Sequence, residues 1–186
     1  IYELFLDEVL IIRDDGHVGV KEKPEVIDSQ GAVNTPKNIT DIIVEETLRP
    51  LYDNKTPEEV SRYHIADICC GSGNFLLSAF EYIVNYHIEY YRSHDVESAE
   101  RRGDIYQLPG STNYILSYEK KRAILKNNIF GVDIDPLAVE VSKFSLLLKA
   151  LENSSLEEAE AFHLRTHHRI LPNLDDNIKN VNSLVN

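Results

Sequence analysis

Two carboxylates and two closely spaced glycines carry the chemistry this sequence can offer. The run Asp67, Ile68, Cys69, Cys70, Gly71, Ser72, Gly73, Asn74, Phe75 sets an acid, a glycine turn and the start of an amphipathic stretch in that order. Ile65 to Cys70 reads as a short buried strand, and Gly71 and Gly73 lack the side chains that would hold a ligand away from the backbone. A helix starting near Asn74 would aim its unpaired N–H groups into the turn. An acid at the strand tip repels a pyrophosphate and favours an ammonium or sulfonium group.

The ligand chemistry this implies is that of S-adenosylmethionine rather than a dinucleotide. The dinucleotide fingerprint also requires a third glycine after Gly73, which is missing. A ligand-free strand-to-helix connection is the plain alternative. The second acid is Asp133, in the run Ile129, Phe130, Gly131, Val132, Asp133, Ile134, Asp135, Pro136. Sheets that bind nucleosides hold the ribose hydroxyls with an acid at the tip of the second strand, roughly 20 residues beyond the glycines. Here the separation is far larger, and a polar excursion from Arg92 to Tyr118 accounts for the excess. Asp135 directly precedes Pro136, so Asp135 is expected to cap the next helix and Asp133 to face the ligand.

The elements that must position these residues follow from periodicity and punctuation. Tyr2 to Ile12 is densely apolar and is expected to be a helix, with Gly16 to Gln30 a loop or short hairpin. Thr35 is placed to cap a helix beginning at Pro36, with Ile39, Ile42, Ile43 and Val44 as its apolar face and Pro50 as its end. Thr56, Pro57, Glu58, Glu59 repeats the device with a capping-box acid. Leu76, Ala79, Phe80, Ile83, His87 and Tyr90 share one face of a helix running to about Tyr91. Glu119 to Asn127 is helical, Ile129 to Ile134 is a second strand, and a strongly apolar helix runs from Pro136 through Leu151. Ile178 to Val185 suggests a third strand. Strands alternating with helices predict a parallel sheet. The expected domains are a helical N-terminal segment, residues 1–58, and an α/β body, residues 59–186.

Composition bounds the function. The 186 residues are 42% hydrophobic and 27% charged, enough for one globular core. The sequence starts at Ile1, has no methionine and ends within an apolar segment, so a piece of a longer protein is expected. With no signal peptide or apolar run of spanning length, a cytoplasmic setting in a bacterium or archaeon and no membrane partner are expected. The adjacent pair Cys69 and Cys70 has no metal-ligand spacing and reads as buried reduced thiols. A formal net charge of −12 opposes strong DNA binding by these residues alone. His163, His167 and His168 with Arg165 and Arg169 form a basic patch; the four-residue spacing of His163 and His167 could chelate a metal on a helix, but no third ligand is evident, so a solvated face or phosphate contact is expected and no metal. Arg101 with Arg102, and Lys120 through Arg122, are either DNA-backbone contacts or ordinary surface charge.

Three segments in this order resemble the adenine-N6 DNA methyltransferases, and most closely the fused restriction-modification methylases of the Eco57I type. They are Gly31 to Pro36 with its helix, Asp67 through Phe75, and Ile129 through Pro136; the tail from Leu171 to Leu184 resembles the stretch ahead of that family's catalytic motif. The resemblance implies a Rossmann-like class I S-adenosylmethionine-dependent fold with an incomplete sheet. It implies that Thr35 and Pro36 hold the methionine carboxylate and that Asp67 sits near the ammonium. Gly71 and Gly73 would admit the cofactor, with Cys69 and Phe75 in the same motif. Asp133 would take the ribose hydroxyls, Ile134 would pack on the adenine, and Asn182 would read its amino group. Asn34, Ile68 and Val181 depart from the family pattern. The family's catalytic motif, Asn or Asp followed by two prolines and an aromatic, is absent, because no two prolines are adjacent. The implied function is the cofactor-binding portion of a site-specific DNA adenine methyltransferase from a restriction-modification or phage-defence system. DNA would be engaged through other regions of the parent, with an endonuclease fused or associated. A non-catalytic S-adenosylmethionine scaffold and a protein or RNA methyltransferase are the competing readings.

Overall fold

The computed structural model describes residues 8–12, 17–22, 35–108 and 110–184. Contacts divide the chain into a unit of residues 1–36 and a larger unit of residues 37–186. The described part of the first unit is an antiparallel hairpin of β1 (Glu8–Ile12) and β2 (Val18–Glu22), with Leu10 opposite Val20. The helix expected through Ile12 is therefore corrected over its described residues. Glu-Val-Leu-Ile-Ile is a short apolar run whose periodicity fits either state, and its β-branched residues favour pairing. Residues 2–7 and 23–34 of the expected elements lie outside the described residues.

The larger unit contains seven helices and five strands among its described residues. Helix α1 (Lys37–Tyr52) starts one residue later than expected and runs through Pro50 rather than ending there. A proline this near the C-terminus removes one helical hydrogen bond. Tyr52, 1% exposed, anchors the end in edge contacts with Tyr63, Tyr82 and Tyr86. The buried stripe of α1 is Thr40, Val44, Leu48 and Tyr52. Ile39, Ile42 and Ile43, the expected core face apart from Val44, are 41–57% exposed. The Thr40 hydroxyl on this stripe lies 2.9 Å from that of Ser78. Helix α1 packs along α3 (Asn74–His94).

A short helix α2 (Pro57–Val60), with the capping box of Thr56 and Glu59 formed as expected, leads into β3 (Ile65–Asp67). The polar excursion is not peripheral. It folds into α4 (Val96–Arg102) and a hairpin of β4 (Ile105–Gln107) and β5 (Tyr114–Leu116), which place Ala99, Ile105 and Leu116 in the core at 0–1% exposure. Then follow α5 (Tyr118–Asn128), β6 (Ile129–Asp133), α6 (Pro136–Leu151), α7 (Leu156–Thr166) and β7 (Ile178–Asn180). Strands β3, β6 and β7 form a parallel sheet in that order, with Asp67 opposite Gly131 and Asp133 opposite Asn180. Leu76, Phe80, Ile83, Leu125, Ile129, Leu146 and Ile178, each at most 2% exposed, pack the helices on this sheet.

His87 lies on the buried face of α3, 5% exposed, with Nδ1 2.8 Å from the Ile83 carbonyl. Burial pulls its pKa below the usual histidine value, and the bond to Ile83 only partly opposes this. Between that lowered value and the unfolded value near 6.5, the unfolded chain binds more protons than the folded one. Stability should therefore fall as pH drops through this window and be insensitive to His87 above it. Urea unfolding at pH 7.5 and 5.5 checks this: a His87→Asn variant should lose less stability than the wild type between the two.

Candidate functional site

The tips of β3 and β6 converge on the glycine turn. Asp67 Oδ1 accepts the Cys69 N–H at 3.0 Å, folding the chain back at the end of β3. The Cys70 N–H then bonds the Val132 carbonyl at 2.9 Å, tying the turn to the neighbouring strand. Asp133 Oδ2 accepts the Gly71 N–H at 2.7 Å, and its Oδ1 accepts the Asp135 N–H at 2.9 Å. Each carboxylate oxygen retains a further lone pair for an incoming donor. Both acids are half-buried, and among the described residues neither forms an ion pair. Asp135 does cap α6, its Oδ1 accepting the Leu137 N–H at 2.9 Å, and Asp133 is left at the tip.

The turn itself is built for close approach. Gly71 and Gly73 have φ of 52° and 89°, the left-handed region that glycine enters without strain. Gly73 is the N-cap of α3 and brings no side-chain cap, so a positive helix end faces the turn. Cys70 is buried beneath it. Burial first, then the negative Asp133 and Asp67, push its thiol up to about 12, so it stays protonated. Cys69 is exposed, which corrects the expectation of two buried thiols.

The structure thus brings together Asp67, Cys69, Gly71, Gly73 and Asp133. Ile134 follows at the tip of β6, 71% exposed. Phe75 is half-buried and packs against the core. Asn182 is exposed at the end of β7, and its Oδ1 accepts the Leu184 N–H in a local turn. Thr35 and Pro36 belong to the first unit, directly preceding α1 in the chain. Two polar residues carried no sequence signal. Asn180 Nδ2 donates to the Asp133 and Ile134 carbonyls at 3.1 and 2.8 Å, fixing the β6 tip from its other side. Ser78 donates to Asp41 Oδ1 at 2.7 Å, while Lys37 bridges Asp41 and Glu81; these bonds pin the start of α1 to α3. The Ser78 hydroxyl foremost holds the Asp41 carboxyl below its usual range.

The basic residues are mostly engaged in structure. Arg102 and Lys120 both pair with Asp104, Lys121 is 4% exposed and donates to the Glu152 carbonyl, and Arg122 lies 5.1 Å over the Phe162 ring. His163 turns Nδ1 to the His168 carbonyl.

Comparison with known proteins bears directly on this arrangement. Residues 47–185 match the family model described as the MmeI DNA-methyltransferase domain. The chain belongs to that family. It is 37% identical over 185 residues to the type II restriction enzyme and methyltransferase RM.Eco57I of Escherichia coli, covering all of this chain and 17% of that protein. It is also 28% identical over 138 residues to the adenine-specific methyltransferase PglX of Streptomyces coelicolor, covering 73% of this chain and 9% of that protein. The methyltransferase-domain match includes β3, the glycine turn, β6 and β7, and begins within α1. Among the described residues no helix is long and apolar enough to cross a membrane.

Proposed function

We propose that the chain is the S-adenosylmethionine-binding portion of a DNA adenine-N6 methyltransferase from a restriction-modification or phage-defence system, on a Rossmann-like class I fold. The observation that carries this reading is the pair of unpaired carboxylates on adjacent parallel strand tips, flanking a glycine turn at a helix N-terminus. Asp133 is suited to the ribose hydroxyls, whose two donors its free lone pairs can accept. Asp67 is suited to the methionine ammonium, and the exposed Ile134 to the adenine face. Thr35 and Pro36, for the methionine carboxylate, and Asn182, for the adenine amino group, rest on the resemblance alone. When bound, the cofactor supplies an electrophilic methyl group on a sulfonium. The residues of this chain orient it.

Transfer to an exocyclic amine further requires a base out of its stack and a group holding its nitrogen in line. No Pro-Pro pair exists here to supply the family's version of that group. DNA contacts, an endonuclease and a cytoplasmic setting are properties we assign to the parent protein.

Calorimetric titration of the 186-residue chain with S-adenosylmethionine tests the reading. Binding is expected, with Asp67→Ala about five- to tenfold weaker, the size of one partly screened charge contact. Absence of any binding would refute the assignment. Methylation of adenine in duplex DNA by this chain alone would show that the catalytic group had been overlooked.

A further inference from the structure

We infer that Ser142 is a positioning residue for the glycine turn, its hydroxyl gaining a hydrogen-bond partner on a turn carbonyl when the cofactor is seated. This rests on the reading of the turn as a cofactor site. Ser142 lies in the middle of α6 and is 0% exposed, yet its Oγ has no oxygen or nitrogen hydrogen-bond partner among the described residues. Buried hydroxyls are nearly always bonded, and leaving one unmade disfavours the state that contains it. The thiol of Cys70 lies beside it and is a weak partner.

The location of this hydroxyl gives it a role. A Cβ built on Gly73 would fall 2.4 Å from Ser142 Oγ and 3.4 Å from Ser142 Cα, so α6 presses directly on the turn. Even a methyl group on Gly73 would not fit there without displacing the turn or Ser142. The turn also holds carbonyls with spare lone pairs, such as that of Cys70, which already accepts the Gly73 N–H at 2.8 Å. Both flanking glycines have positive φ, so the intervening peptides can reorient at little steric cost. Were a bound cofactor to turn one of these peptides toward α6, Ser142, whose hydroxyl lies against Gly73, would be placed to donate to its carbonyl.

The expected signature has opposite signs in the free and bound states. Ser142→Ala removes a hydroxyl whose one partner in the free protein is the weak Cys70 thiol, so its melting temperature should hold or rise. The same change should weaken S-adenosylmethionine binding roughly five- to tenfold, the loss of one hydrogen bond. Ser142→Cys, with a weak donor in nearly the same place, should fall between Ala and wild type. Thermal melting and calorimetry on the three proteins decide. Unchanged affinity in Ser142→Ala overturns the inference, as does a parallel fall in melting temperature and affinity, which is the mark of a packing role. If the wild type itself binds no S-adenosylmethionine, the functional reading fails and this inference with it; wild-type binding with an unaffected Ala variant sinks the inference alone.

Discussion

Replacing Asp133 with alanine is expected to weaken S-adenosylmethionine binding roughly 100-fold, the largest loss from any single side chain of the candidate pocket. Two ribose hydroxyls bonded to one carboxylate contribute about 1.5 kcal/mol each, and the sum of about 3 kcal/mol corresponds to that factor. The effect is compounded because the same carboxylate holds the Gly71 N–H at 2.7 Å and the Asp135 N–H at 2.9 Å. Asp133→Asn separates these roles. Its amide keeps one acceptor oxygen but turns an NH2 group toward one of two backbone donors, so an intermediate loss is expected. Isothermal titration of both variants against the wild type provides the check, and an affinity for Asp133→Ala equal to the wild type removes Asp133 from the pocket.

The second large effect concerns Gly73. A methyl group here has to coexist with φ of 89° and with Ser142 Oγ 2.4 Å away. The left-handed conformation costs a non-glycine residue roughly 1–2 kcal/mol, and overpacking adds about 1–3 kcal/mol. Gly73→Ala should therefore lower the folding free energy by about 2–5 kcal/mol and abolish cofactor binding as the turn moves off α6. Gly71→Ala is the internal control: its φ is 52°, but nothing lies within 4 Å of the added carbon, so only the smaller conformational cost is expected. Urea denaturation of the two variants reads the difference directly. Equal destabilisation would mean that the contact with Ser142 has no energetic weight.

The elements that sequence alone located best are those with punctuation at both ends. Helix α6 begins at Pro136 and ends at Leu151 as its Asp-Pro start and apolar run indicated, and the parallel order of β3, β6 and β7 agrees with the strand-helix alternation. The convergence of Asp67 and Asp133 was legible for the same reason, since each acid terminates a recognisable strand. Other features depended on partners distant in the chain. The isoleucines of α1 face outward while the neighbouring stripe of Thr40, Val44, Leu48 and Tyr52 packs inward, and a 3.6-residue period does not distinguish neighbouring stripes of similar hydropathy. Residues 92–118 look like a polar loop because the apolar residues of the hairpin and α4 are few and widely spaced, although Ala99, Ile105 and Leu116 are buried. Asn180 and Ser142 have no local pattern to mark them, and only the register of β6 with β7 and the approach of α6 to the turn give them meaning.

The bonds that shape the turn span most of the molecule. Gly71 and Asp133 are 62 positions apart, and Asn180 reaches back 47 positions to the Asp133 carbonyl. Contacts of such range form late, after the entropy of closing long loops has been overcome. On a ribosome, the glycine segment is synthesised early but can acquire its full set of partners only once Asn180 has emerged. Competence to hold a ligand thus depends on β7, and a nascent chain halted before it carries the whole glycine motif with one side of its β6 support missing.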